Sequence, residues 1–134
     1  MTNWVARLFA KVVDRQLKPH GLSSAHLPVM NALGDGSALS QKALVEIAAV
    51  EQPTMAATLA RMERDNLVIR APDPNDKRSS LFSLTEHGLE KFQNAQRVFL
   101  DINAQALIGL TETEKKQYLE MLLRVGKSLE KLAD

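Results

Sequence analysis

The sequence predicts a mainly α-helical chain broken by one small β-hairpin, and three observations carry that expectation. Apolar residues recur at helical spacing through residues 2–18, 55–62 and 89–132. Two short runs, LVIRA (67–71) and SLFSL (80–84), flank a stretch rich in proline and charge, as the two strands of a hairpin would. Just ahead of them, two helix starts stand close together, at Ser40 before QKALVEIA and at Pro53 within EQPTMAATLARMERDN.

Along the chain, TNWVARLFAKVVDRQLK (2–18) sets Trp4, Leu8 and Val12 on one stripe with Val5, Phe9 and Val13 beside it. Pro19 and Gly21 end that helix. Ser23 or Ser24 is placed to cap a second helix running to about Leu33, with Pro28 in its first turn and Gly34 at its end. DGS (35–37) reads as a loop. Ser40 then caps a short helix with Leu44, Ile47 and Ala48 inward, and the next helix buries Met55, Leu59 and Met62 before Asn66 stops it in a left-handed conformation. Residues 67–84 follow as a hairpin with a long turn. Thr85 caps a long helix bearing Leu89, Phe92, Phe99, Ile102 and Leu107, and Gly109 breaks it. Thr111-Glu-Thr-Glu114 is a capping box opening a last helix, with Leu119, Leu122, Leu123, Leu129 and Leu132 inside. Two close helices followed by a hairpin make a winged helix-turn-helix, with the hairpin as the wing and further helices on both flanks.

Size and composition narrow the possible functions. A chain of 134 residues is expected to form one domain able to fold without metal or disulfide staples. There is no cysteine, which removes disulfides, thiolate nucleophiles and Cys-ligated zinc. No apolar stretch approaches the ~18 residues that span a bilayer, and Arg7, Lys11 and Arg15 interrupt any export signal, so the expectation is a cytoplasmic chain with no membrane partner. Net charge is only +1, and residues 39–84 carry six basic and six acidic groups. An anionic partner would therefore be met by placed charges, not by a bulk field.

The middle segment is where such placement shows. In the helix of EQPTMAATLARMERDN, the face other than the Met55-Leu59-Met62 stripe carries Gln52, Thr54, Ala57, Thr58 and Arg61. Short side chains permit close approach to base edges in a major groove, where Gln suits adenine, Arg suits guanine, and Ala or the Thr methyl suits the thymine methyl. The same face would also serve as the wet side of any amphipathic helix. In DPNDKRSSLFSL, Lys77 and Arg78 suit the negative potential of a narrow minor groove, with Asp76 bracing a guanidinium; alone, they would pass for solvated turn charges.

DPNDKRSSLFSLTEHG resembles the wing of the MarR family, the multiple-antibiotic-resistance type of bacterial repressors. That wing pattern is Asp-x-Arg, an alternating strand and Leu-Thr, here Asp76-Lys77-Arg78 and Leu84-Thr85, then Gly88. LVEIAAVEQPTMAATLARMERDNLVIR resembles the family's helix-turn-helix, with Arg61 and Arg70 at matching places, and HGLSSAHLPVMNALG resembles its second helix. The turn carries Ala48-Ala49-Val50 where relatives often have glycine, and the first helix is short for the family. The resemblance implies a single domain over 1–134, with dimerisation helices in 1–22 and 86–134 and the winged part in 23–85. It implies a homodimeric repressor on a pseudo-palindromic DNA operator, with two reading helices ~34 Å apart. Ser40, Gln41 and Lys42 would hold phosphates, Gln52, Thr54, Ala57, Thr58 and Arg61 would face the major groove, and Asp76, Lys77 and Arg78 would form the wing contact. Relatives often release DNA on binding a small aromatic acid or phenolic compound, for which Arg7, Lys11, His26, Met30 and Arg70 are the candidate lining.

No cofactor is expected. His20, His26 and His87 are scattered, without metal-site spacing, and Gly34-x-Gly36 lacks the rest of a phosphate-binding fingerprint, so an enzyme is not expected either. A winged-helix module that docks only on protein remains the other reading, and the neutral middle segment is compatible with it.

Overall fold

The computed structural model describes residues 2–134, among which six α-helices and three strands follow one another. Their order is α1 (Thr2–Leu17), a 3-10 turn (Lys18–His20), α2 (Leu27–Leu33), β1 (Leu39–Ser40), α3 (Gln41–Ala48), α4 (Gln52–Arg64), β2 (Val68–Asp73), β3 (Asp76–Leu84), α5 (Glu86–Ala106) and α6 (Glu112–Ala133). The strands form one antiparallel sheet in the order β1-β3-β2. The chain divides into two compact units, up to Phe99 and Leu100–Asp134, with the division inside α5.

The first unit is a winged helix-turn-helix with a continuous core. Leu17 of α1, Val29, Met30 and Leu33 of α2, Leu44 of α3, Met55, Leu59 and Met62 of α4, Val68 and Phe82 of the sheet, and Phe92 and Ala95 of α5 are all buried. On α1 the stripe is only half used. Val13 and Leu17 are buried, while Trp4, Val5, Leu8 and Val12 remain exposed; Phe9 meets Phe99 edge to face at 5.4 Å.

Several local expectations are corrected. The second helix starts at Leu27, not at the serines. Pro28 has no N–H to give the Ser24 carbonyl, so residues 23–27 form successive i→i+3 turns, with His26 N–H on Ser23 O and Leu27 N–H on Ser24 O. Ile47, expected inward, is 57% exposed, because the one-turn stripe of α3 is centred on Leu44. The wing turn is short. β2 and β3 run on to an Asp73–Asp76 pair, leaving only Pro74 and Asn75 between them. Pro72 suggested a break, yet it lies in an edge strand, where proline is tolerated, and the ladder is irregular just after it, between Pro72 and Asp73; Pro74 falls in the turn. Strand β1 was not foreseen; its two residues pair Leu39 with Phe82 and Ser40 with Leu81.

The wing joins α5 through a tightly built corner. Asn66 adopts the left-handed conformation expected of it (φ 58°), and Thr85 Oγ accepts from Gly88 N–H at 2.8 Å while donating to the Asn66 carbonyl at 2.6 Å. Gly88 is required there, since a Cβ would land on the Leu67 carbonyl oxygen.

In the second unit, α6 opens with the foreseen capping box: Thr111 Oγ accepts from Glu114 N–H at 3.2 Å and the Glu114 carboxylate accepts from Thr111 N–H at 2.7 Å. Its leucines are not inside. No residue of α6 is buried, and Leu119, Leu122, Leu123, Leu129 and Leu132 all lie open, together with Met121 and Val125. No helix among the described residues is long and apolar enough to cross a membrane.

Candidate nucleic-acid interface

The helix-turn-helix is held by its caps and its turn. Ser40 has extended backbone (ψ 160°) and its Oγ accepts from Ala43 N–H at 3.1 Å, starting α3. Ala49 ends α3 in the left-handed region (φ 52°, ψ 43°). Extended Glu51 then starts α4, with Pro53 in its first turn. The result brings the first residues of the two helices together: Gln41 Nε2 donates to Gln52 Oε1 at 3.0 Å. Sequence reasoning picked both glutamines but not their contact. Eleven residues of separation carry no local signal for it.

Of the five residues expected on the outer face of α4, Gln52, Thr54, Ala57 and Arg61 are exposed. Thr58 is not. At 3% exposure it is part of the core, because it lies three residues after Met55 and four before Met62, on the same stripe. Lys42 at the start of α3 is exposed, and Ser40 and Gln41 are partly so.

Lys77 and Arg78 stand exposed on β3, near the tip, and not in a loop. Strand alternation sends successive side chains to opposite faces, so the basic pair divides between the two sides of the hairpin. Asp76 does brace the tip, by a route other than the one expected: its carboxylate accepts from the Arg78 backbone N–H at 2.9 Å, not from a guanidinium. Asp73 does the same for Asn75 N–H at 2.9 Å, so both strand ends are pinned by Asx turns.

The five residues expected to line a ligand cleft are dispersed. Arg7 and Lys11 lie in solvent on α1. Met30 has no exposed surface and His26 only 7%. Arg70 is occupied: its guanidinium stacks over the Phe82 ring at 5.1 Å and donates to the Glu63 carboxylate at 2.9 Å, tying β2 to α4. His26 accepts from Ser23 N–H at 3.1 Å through Nδ1, which places the proton of the neutral ring on Nε2. That Nε2 is buried and has no hydrogen-bond partner among the described residues. Burial, and then the positive charge of Arg61, holds the imidazole below its ordinary pKa of 6.5. His26 is therefore a neutral structural residue linking the start of α2 to its own preceding turn.

A profile of the MarR family matches residues 20–79, which span α2, the helix-turn-helix and the hairpin tip. The regulator YwoH of Bacillus subtilis (strain 168), described as an uncharacterized HTH-type transcriptional regulator, is 30% identical over 116 residues, covering 87% of this chain and 84% of that protein. The transcriptional repressor IacR of Pseudomonas putida is 29% identical over 132 residues, covering 96% and 79%. The structure of an Escherichia coli MarR mutant complexed with operator DNA superposes with a TM-score of 0.83 at 22% identity, over 92% of this chain and 89% of that one, which speaks for the fold. These relatives are transcriptional regulators, not enzymes. With the wing and helix-turn-helix matched and a relative this similar along most of both chains, this protein belongs to the MarR family of transcriptional regulators.

Proposed function

We propose that this protein is a sequence-specific DNA-binding repressor that occupies a pseudo-palindromic operator as a homodimer. The observation carrying this is the outer face of α4: Gln52, Thr54, Ala57 and Arg61 stand exposed, short or ended by amide and guanidinium groups, beside a braced hairpin bearing Lys77 and Arg78. In that reading α4 enters the major groove, the start of α3 with Ser40, Gln41 and Lys42 lies along phosphates, and the wing reaches the adjoining minor groove. The operator complex of Escherichia coli MarR and the repressor name of IacR support it.

The dimer rests on unspent apolar surface. Trp4, Val5, Leu8 and Val12 on α1, and separately seven apolar residues of α6 from Leu119 to Leu132, are exposed in one chain. Burial against a second copy would remove both stripes from water under a two-fold axis. Release by a small aromatic acid or phenolic compound is the finer part of the proposal. Of its candidate lining, Arg7 and Lys11 are the exposed cations a carboxylate would pair with, while the buried Met30 and His26 would need α2 to move.

The test is selection of duplexes from a random-sequence pool by the purified full chain, with its mass measured by sedimentation. A two-fold motif bound by a dimer, with affinity falling steeply as salt rises, supports the proposal. A monomer, or a chain that enriches no duplex at low salt, overturns it and favours the protein-docking module.

A further inference from the structure

We infer that Gln41 is a positioning residue that holds the Gln52 amide in the one orientation that reads adenine. The inference rests on the DNA reading above and adds to it a specificity device within the helix-turn-helix. Gln41 is the first residue of α3 and Gln52 the first of α4, and the turn between them directs the Gln41 Nε2 donor onto Gln52 Oε1 at 3.0 Å. An unrestrained glutamine amide can turn over, exchanging its C=O and NH2 at little cost, and so presents a base edge with either order of donor and acceptor. With one N–H of its NH2 held on a phosphate oxygen, which can only accept, Gln41 can offer Gln52 only the other N–H, and in the complex that donor removes the freedom. Gln52 Oε1 is drawn to the Gln41 side and Nε2 to the other.

Adenine is the base edge that this fixed order matches. In the major groove it offers the N7 acceptor beside the N6 amino donor, and one amide satisfies both with an N–H and a C=O. A carbonyl oxygen has two lone pairs, so Oε1 can accept from N6 while still accepting from Gln41. Guanine offers two adjacent acceptors, N7 and O6, and would place one of them against Oε1. The second N–H of Gln41 is directed away from this bond and suits a phosphate oxygen, which would join base and backbone contact through one pair of side chains. Residues at the start of a reading helix are the ones that reach base edges, and Gln52 occupies that position.

The experiment uses the full chain and duplexes enriched by it from a random pool, each base pair then varied in turn. Gln52→Ala identifies the pair read by Gln52, and an A·T pair is expected. At that pair, Gln41→Ala should lower the preference for adenine by roughly 2- to 10-fold, the range of one net hydrogen bond, while specific binding persists. Gln41→Lys should keep the preference, because the ammonium still donates to Oε1. Gln41→Glu can only accept, draws Gln52 Nε2 to itself, turns the amide over and should erase the adenine preference. Preference is a ratio of affinities at one salt concentration, so the added charges cancel and a merely structural role would not separate Lys from Glu. An unchanged preference in Gln41→Ala, a retained one in Gln41→Glu, or a Gln52 pair that proves to be G·C or absent overturns the inference while leaving the operator reading intact. A wild-type chain that enriches no duplex overturns both.

Discussion

Replacing Ala49 by glycine should stabilise this protein, and the size of the gain follows from the turn. Ala49 sits at φ 52° and ψ 43°, a left-handed conformation in which its Cβ crowds the following carbonyl. For an L-residue that conformation costs about 1–2 kcal/mol. Glycine removes the crowding, but it also frees the unfolded chain by about 0.5–1 kcal/mol relative to alanine. Ala49 is exposed, so its methyl contributes little packing to lose. The difference is a net gain of about 0.5–1 kcal/mol. Chemical denaturation at fixed protein concentration should show a raised midpoint with an unchanged slope, the signature of altered stability without altered compactness. Ala49→Val is the control. A β-branched residue is a worse occupant of the left-handed region and should lower the midpoint. A glycine variant no more stable than the parent, with valine tolerated, would refute the strain argument and with it the assigned geometry of the turn.

Three further outcomes are expected. Gly88→Ala should lose about 1–3 kcal/mol in the same denaturation assay, since the new Cβ meets the Leu67 carbonyl oxygen, a backbone atom that already receives Thr85 N–H and cannot yield. Stability should decline as pH falls below about 6.5, because the buried His26 ring resists the proton that the unfolded chain accepts. The unfolded state binds more protons in that range, so the contribution is complete above 6.5 and lost on acidification; His26→Phe should flatten the slope of denaturation midpoint against pH, and an equal slope in both proteins would clear His26 of the effect. Arg78→Ala should weaken binding to the enriched duplex by ~1–3 kcal/mol with circular dichroism and sedimentation unchanged, and an unaltered affinity would remove the wing from the contact.

Local chemistry was legible wherever a residue's role depends on near neighbours. The Thr111–Glu114 capping box, the Ser40 and Thr85 caps, the left-handed Asn66 and the Met55-Leu59-Met62 stripe all depend on contacts within about one or two helical turns, and each is found where the residue pattern places it. The limits of the wing were misread for a related reason. Pro72 forbids a central strand but not an edge strand, and edge position is a property of the sheet.

By itself, then, the sequence settled the order of the six helices and the hairpin, most of the caps, and a winged helix-turn-helix whose second helix turns a small polar face outward, because these follow from periodicity and short-range hydrogen bonding. Tertiary structure alone decided that Arg70 is spent on Phe82 and Glu63, that His26 is neutral and enclosed, and that Gln41 meets Gln52. Each of these turns on what a distant segment places against a side chain, and a single chain of residue types does not contain that distance.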